Sequence, residues 1–242
     1  MTTSPKSDLA SLKEGTGYLV RRPLAVLGIA TLGMFLAALL QVRAGLPDEP
    51  LVDTALTFAS LLPLELYFIP RFLIAADALA GQNPLNPPDQ WRLRFEERWL
   101  RAFWGKAMLA LATGVGLSLF IFPGVMGLMA FGWVPLRILL RGESLAQAAR
   151  GSVQMMARAW RRVILATSAM AMIYLSCIVI LSYLVGLSVQ EPTARIRMTH
   201  PLIWVGNFFG SLLSVWLSAC LLALFRRLET APPTAGPTVN IN

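Results

Sequence analysis

From Val163 to Leu187, and again from Leu202 to Phe225, the sequence carries no charged residue. Two further stretches share this character, Leu24 to Leu40 and Ala107 to Leu136. In water such runs would need a core to hide in, and the chain offers little polar surface to build one. Only 14% of its 242 residues are charged against 56% hydrophobic, where soluble domains carry about 25% charged residues. Long apolar runs bounded by basic residues point to helices that cross a bilayer, about 20 residues each.

Topology follows from the middle run. As one straight helix, residues 107–136 would span about 45 Å, too long for a hydrocarbon core of about 30 Å. Phe122-Pro123-Gly124 interrupts it, and a Pro-Gly pair is a turn signal, so a helical hairpin is expected there. A re-entrant hairpin that does not fully cross is the rival. With the hairpin and a cytoplasmic N-terminus, all of the 21 lysines and arginines except Arg43, Arg195 and Arg197 lie inside. Without it they divide almost evenly, so the positive-inside rule selects the hairpin.

The expected fold is an all-α, polytopic membrane helix bundle of about six transmembrane helices. Its spans are placed at 24–42, 51–76, 103–121, 124–140, 163–187 and 202–225. Residues 1–22 form a cytoplasmic N-terminal segment, 23–227 the membrane domain and 228–242 a disordered cytoplasmic tail rich in Pro and Thr. A cleaved leader competes for the first run, but that run is too long for a typical signal core.

Two connections have the pattern of cytoplasmic, interfacial amphipathic helices. In the first, Asn86-Pro87-Pro88-Asp89 supplies an N-cap and first-turn prolines. Trp91, Phe95, Trp99 and Phe103 then line one side, to face either the headgroups or the ends of the bundle. In the second, Ser144 to Arg162, Ser144 and Gln147 have capping-box spacing. Leu145, Ala149, Val153, Met156 and Trp160 form an apolar stripe. Arg150, Arg158, Arg161 and Arg162 are candidate contacts for lipid headgroups, most simply through attraction to an anionic surface.

Glu65 is the acid expected deepest in the bilayer, a costly location that marks a functional candidate. Arg71 and Arg137 are its candidate partners. Arg71, six residues on, points about 240° round the helix, so Arg137 is the better placed. The competing explanation is a structural ion pair or a protonated, hydrogen-bonded carboxyl. Gly206, Gly210, Ser214 and Ser218 form a small-residue face suited to close helix packing.

The sequence offers no catalytic, cofactor or metal site. Cys177 and Cys220 lie inside apolar runs without metal-ligand spacing. His200 stands alone, and neither a nucleophile elbow nor a phosphate-cradling glycine loop occurs. The net charge of +8 falls at membrane flanks, so lipid rather than nucleic acid is the expected partner. A protein partner or a homo-oligomer stays open.

Ile121-Phe122-Pro123-Gly124, Val134-Pro135, Leu140-Arg141-Gly142-Glu143-Ser144, Ala148-Ala149-Arg150-Gly151-Ser152 and Ala159-Trp160-Arg161-Arg162 follow one another along the chain. In that order they resemble the membrane domain of glycerophosphoryl diester phosphodiesterases and related six-span bacterial membrane proteins. Tyr18-Leu19-Val20-Arg21-Arg22-Pro23 is also similar. Catalysis in fused members belongs to a separate soluble barrel, and no residue here matches it. The resemblance thus implies a membrane module without the phosphodiesterase activity. The favoured reading is a non-enzymatic bacterial inner-membrane protein, both termini cytoplasmic by the charge count, supporting envelope or lipid homeostasis through lipid or partner binding. A small transporter or channel built on Glu65 is the alternative, and a membrane enzyme acting on lipid headgroups a second.

Overall fold

The computed structural model describes residues 10–41, 62–80, 87–119, 127, 130–188 and 201–230. Seven α-helices and one π-helical turn account for the elements among them, with no strand. Helices of Leu145–Leu181 and Trp204–Glu229 are long and apolar enough to cross a membrane, and a third span arises if the bent pair near the N-terminus counts as one. The tip of the expected hairpin, Pro123-Gly124, lies outside the described residues.

Helix α1 (Ala10–Val20) and helix α2 (Pro23–Gln41) meet at a bend of 89°. Pro23 explains the break. The residue before a proline is steered away from helical geometry, while proline itself fits a first helical turn. Arg22 therefore closes α1, donating to Leu19 O at 3.1 Å, and accepts the first bond of α2 from Val26. Within residues 1–22, expected as a cytoplasmic N-terminal segment, α1 is a helix not foreseen from the sequence.

A π turn, Leu64–Phe68, runs into α3 (Ile69–Leu79). In the turn Ile69 N–H bonds Leu64 O, five residues back. In a regular α-helix the Pro70 ring would press on the Leu66 carbonyl, and the wider turn relieves that crowding. Helix α4 (Trp91–Leu119) starts later than expected. Pro87-Pro88 is used in a turn instead, with Gln90 N–H on Pro87 O. No break separates its polar first half from its apolar second half, so the residues expected as a surface helix and as a third span form one continuous helix. Phe95 is 2% exposed, while Trp91, Trp99 and Phe103 on the same side are half-buried.

Helix α5 (Val134–Arg141) is only about 12 Å long. A turn at Gly132–Trp133 precedes it, where Pro135 would clash with the Phe131 carbonyl of a continuous helix. Helix α6 (Leu145–Ser188) is non-helical at Ala159 alone (φ −132°, ψ 25°). The kink falls between its amphipathic and apolar halves. Helix α7 (Pro201–Thr230) takes in residues 228–230, which the sequence assigns to the tail.

The chain divides into two compact units. One contains residues 12–76 and 168–220, and it is held by close helix approaches. A side chain at Gly15 would meet the Cys220 backbone at 2.6 Å, and one at Gly33 would collide with Ser211. Trp216 Nε1 donates to Thr16 Oγ1 at 3.2 Å, and Phe35 stands edge-on to Trp204 at 5.5 Å. The buried stripe of α7 is Ser211, Val215, Ala219 and Cys220. This lies one position on from the expected Gly206, Gly210, Ser214 and Ser218, and a side chain at Gly210 would meet nothing within 4 Å.

On α6 this unit exposes Met172, Leu175, Val179, Ile180, Tyr183 and Leu184. A continuous apolar surface of this kind is unusual on a soluble protein, whereas hydrocarbon is its natural solvent.

The close approach yields a paired test. Gly15→Leu is expected to lower stability in detergent by roughly 1–3 kcal/mol through overpacking. Gly210→Ala should stay within about 0.5 kcal/mol. Thermal unfolding of both purified variants distinguishes a glycine required by contact from one that is merely helical.

Candidate functional site

Polar residues of the second unit, residues 10–11, 77–167 and 221–230 among those described, converge on α5 and the turn that follows it. Gly142 ends α5 with φ +70°, a left-handed conformation that side chains other than glycine resist. Its N–H satisfies Ile138 O at 2.9 Å. The next two carbonyls, Leu139 and Leu140, accept Arg98 Nη1 at 3.2 and 3.1 Å. Arg98 is 6% exposed, so a cation is buried against the negative end of a helix, where the macrodipole favours it. Burial lowers its pKa from the ordinary value, as do Arg94 and Arg101, while Glu97 and Asp77 act the other way. A guanidinium stays charged regardless.

Because Gly142 turns the chain back, residue 143 returns to the side of α5. Glu143 then receives Arg137 in a two-pronged contact, Nε to Oε2 at 2.8 Å and Nη2 to Oε1 at 2.7 Å. Such parallel bonds are the strongest geometry between these groups. Arg141 continues the row, 3.6 Å from Glu143 and 2.6 Å from Glu229 on α7. On the far side of Arg137 lies Gly151, where even a β-carbon would collide with the guanidinium. One turn of α6 is thus kept bare to seat this arginine.

The first turn of α6 closes on itself as its spacing predicts. Ser144 N–H donates to Gln147 Oε1 at 3.0 Å, and Gln147 N–H to Ser144 Oγ at 3.4 Å. Ser152 then donates to Ala130 O at 2.6 Å, fixing the segment before α5. Asp77 and Arg226 complete the cluster, an ion pair with both side chains buried. Trp133 and Phe225 stack beside it at 6.1 Å.

Four arginines meet three carboxylates in this arrangement. Arg137 and Arg141 offset Glu143 and Glu229, Arg226 offsets Asp77, and Arg98 is met by carbonyl dipoles. The geometry is that of a clamp fastening α3, α4, α5, α6 and α7. Among the described residues no group of three His, Cys, Asp or Glu converges as a metal site would.

Of the residues singled out by sequence, Arg137 is the one in the clamp, and its carboxylate is Glu143. Glu65 and Arg71 belong to the other unit. Glu65 is half-buried inside the π turn, while Arg71 reaches back to Tyr67 with Nη1 3.4 Å from its hydroxyl. Arg150, Arg158 and Arg161 are exposed and Arg162 half-buried. The Arg161 guanidinium lies over the Trp160 ring at 5.3 Å, and Trp160 is 50% exposed. The apolar stripe of Leu145, Val153 and Trp160 is outward-facing, because Ala148, Ser152 and Met155 supply the buried side of α6.

Sequence reasoning missed Asp77. Its signal was present: an acid within the apolar segment Ile74-Ala75-Ala76-Asp77-Ala78-Leu79, with no basic residue a helical turn away.

The buried pair can be apportioned by a double-mutant cycle. Arg226→Met alone should cost roughly 3–5 kcal/mol by stranding the Asp77 charge. Combining it with Asp77→Leu should recover most of that loss, because two apolar residues replace a charge pair with little penalty. Additive losses in unfolding measurements would mean that the two side chains are not coupled.

No protein-family model matches the chain, and neither a curated protein nor a solved structure does.

Proposed function

We propose that this chain is a non-enzymatic integral protein of the bacterial inner membrane that engages anionic lipid and supports envelope or lipid homeostasis. The reading takes six spans, counting the hairpin around Pro123-Gly124, with both termini in the cytoplasm. It keeps the resemblance to the phosphodiesterase membrane-domain family as the source of the bacterial setting. The lipid contact is α6 between Leu145 and Arg162.

One observation carries the proposal. Around the Ala159 kink, exposed Arg158 and Arg161 flank exposed Trp160, immediately before the helix turns wholly apolar. Basic groups beside a half-exposed tryptophan suit the headgroup boundary, with guanidinium groups at phosphate level and the indole just beneath. A clamp on the other face of α6, through Gly151 and Ser152, holds this stretch against its own unit and leaves the arginines outward.

A second reading, a small transporter or channel, has one observation in its favour. Glu65 sits in a π turn, and such turns are frequent at functional sites. Ion or proton flux into proteoliposomes that is lost in Glu65→Gln would support it.

For the favoured reading, the protein extracted in native nanodiscs is expected to retain anionic over zwitterionic phospholipid by mass spectrometry. Arg158→Gln with Arg161→Gln should weaken that preference roughly ten- to thirtyfold, at about 1 kcal/mol per basic residue near an anionic surface. Equal retention of both lipid classes by the unaltered protein would contradict the proposal.

A further inference from the structure

Helix α1 has two faces that differ in kind. Gly15 and Tyr18 are buried, and Gly15 abuts the Cys220 backbone. Leu12 O accepts Cys220 Sγ at 3.9 Å, and Thr16 Oγ1 accepts the Trp216 indole. The helix therefore crosses α7 with Leu12, Gly15 and Thr16 against Trp216 and Cys220. At helical periodicity Lys13, Gly17 and Val20 fall on the opposite side. Lys13 is exposed, a side chain at Gly17 would meet nothing within 4 Å, and Val20 is 73% exposed. Arg21 extends this side beyond the helix end, and Leu24, 84% exposed, begins α2 just below it.

The bend gives these faces an orientation. Helix α2 is apolar and about 28 Å long, close to the thickness of the hydrocarbon core. Its contacts with α7 run in opposite chain directions, since Gly33 meets Ser211 while Phe35, further on, meets Trp204. If α2 stands across the bilayer, a helix at 89° to it lies in the membrane plane at the level of Pro23. Two basic residues, a bare glycine and exposed apolar side chains then point away from α7 at the boundary between headgroups and acyl chains.

We propose that α1 is an in-plane interfacial helix whose Lys13–Val20 face, with Arg21, binds the headgroups of anionic phospholipid. This rests on the membrane reading above and adds a second lipid contact, on a different unit from the α6 stretch. Lys13 and Arg21 outnumber Glu14, the one acid of α1, and this excess of positive charge favours lipid over a protein partner. Val20 and Leu24 supply the apolar component that a flat amphipathic helix inserts between headgroups.

Spin labels test it. Cysteines at Val20 and at Val179, each in a Cys177→Ala, Cys220→Ala background, are labelled in nanodiscs. One set contains phosphatidylglycerol, the other phosphatidylcholine alone. Collision rates with oxygen and with a water-soluble nickel chelate give depth. Position 179 should be deep in both lipids and position 20 at headgroup depth in phosphatidylglycerol. Lys13→Gln with Arg21→Gln should raise the nickel collision rate at position 20 several-fold. A deep label at 179 with a fully aqueous one at 20 would overturn this proposal and leave the membrane reading intact. So would a label at 20 indifferent to both lipid charge and the two substitutions. A water-exposed label at 179 would sink the membrane reading and this proposal with it.

Discussion

Everything in this molecule is constrained by how a polar group is met once water is withdrawn. Helices satisfy their own backbone, which is why they can cross hydrocarbon. Side chains and helix ends need separate provision. Here that provision is concentrated around α5, where Arg98 meets the two carbonyls that Gly142 leaves over. Elsewhere, on α1, α2 and α7, small residues do the packing instead. The two strategies answer the same problem: hydrogen bonds where charges must be buried, and close backbone approach where there is no hydrophobic drive to hold helices together.

The clamp also shows why short motifs can look uninformative and still be specific. In Leu140-Arg141-Gly142-Glu143-Ser144 each residue has a distinct task. Leu140 offers a carbonyl to Arg98, Arg141 reaches Glu229, Gly142 turns the chain, Glu143 receives Arg137, and Ser144 caps α6. In Arg150-Gly151-Ser152 the glycine makes room for Arg137 while the serine ties down Ala130. The whole is a device for ending one helix, starting another and fastening both, and it leaves the outer side of α6 free for the lipid contact proposed.

Much of this was legible in the sequence where the governing interaction is local. Apolar run length marked the long helices, Pro23 marked the start of α2, and Ser144 with Gln147 marked the start of α6. The parts that were not legible depend on long-range closure or on competition between local rules. Asp77 and Arg226 are 149 residues apart, and no spacing rule joins them. Arg137 and Glu143 are six apart, a separation that diverges on a continuous helix. They meet because the left-handed glycine between them ends α5, and that consequence appears only once the helix end is known. Pro70 does not by itself dictate a form, since a kink, a break or a π turn would each relieve the same clash. The face of α7 that packs was displaced by one residue because Gly33 and Gly15, rather than the glycines of α7 itself, provide the room.

The central claim is that α6 passes at Ala159 from an aqueous, lipid-headgroup environment into hydrocarbon. Single cysteines placed along it in intact membrane vesicles, and challenged with a membrane-impermeant thiol reagent, test this directly. Positions 150, 154 and 157 should react, and positions 172, 175 and 183 should be protected. Uniform reaction along the whole helix would contradict the account, because the exposed apolar side chains beyond the kink would then be standing in water.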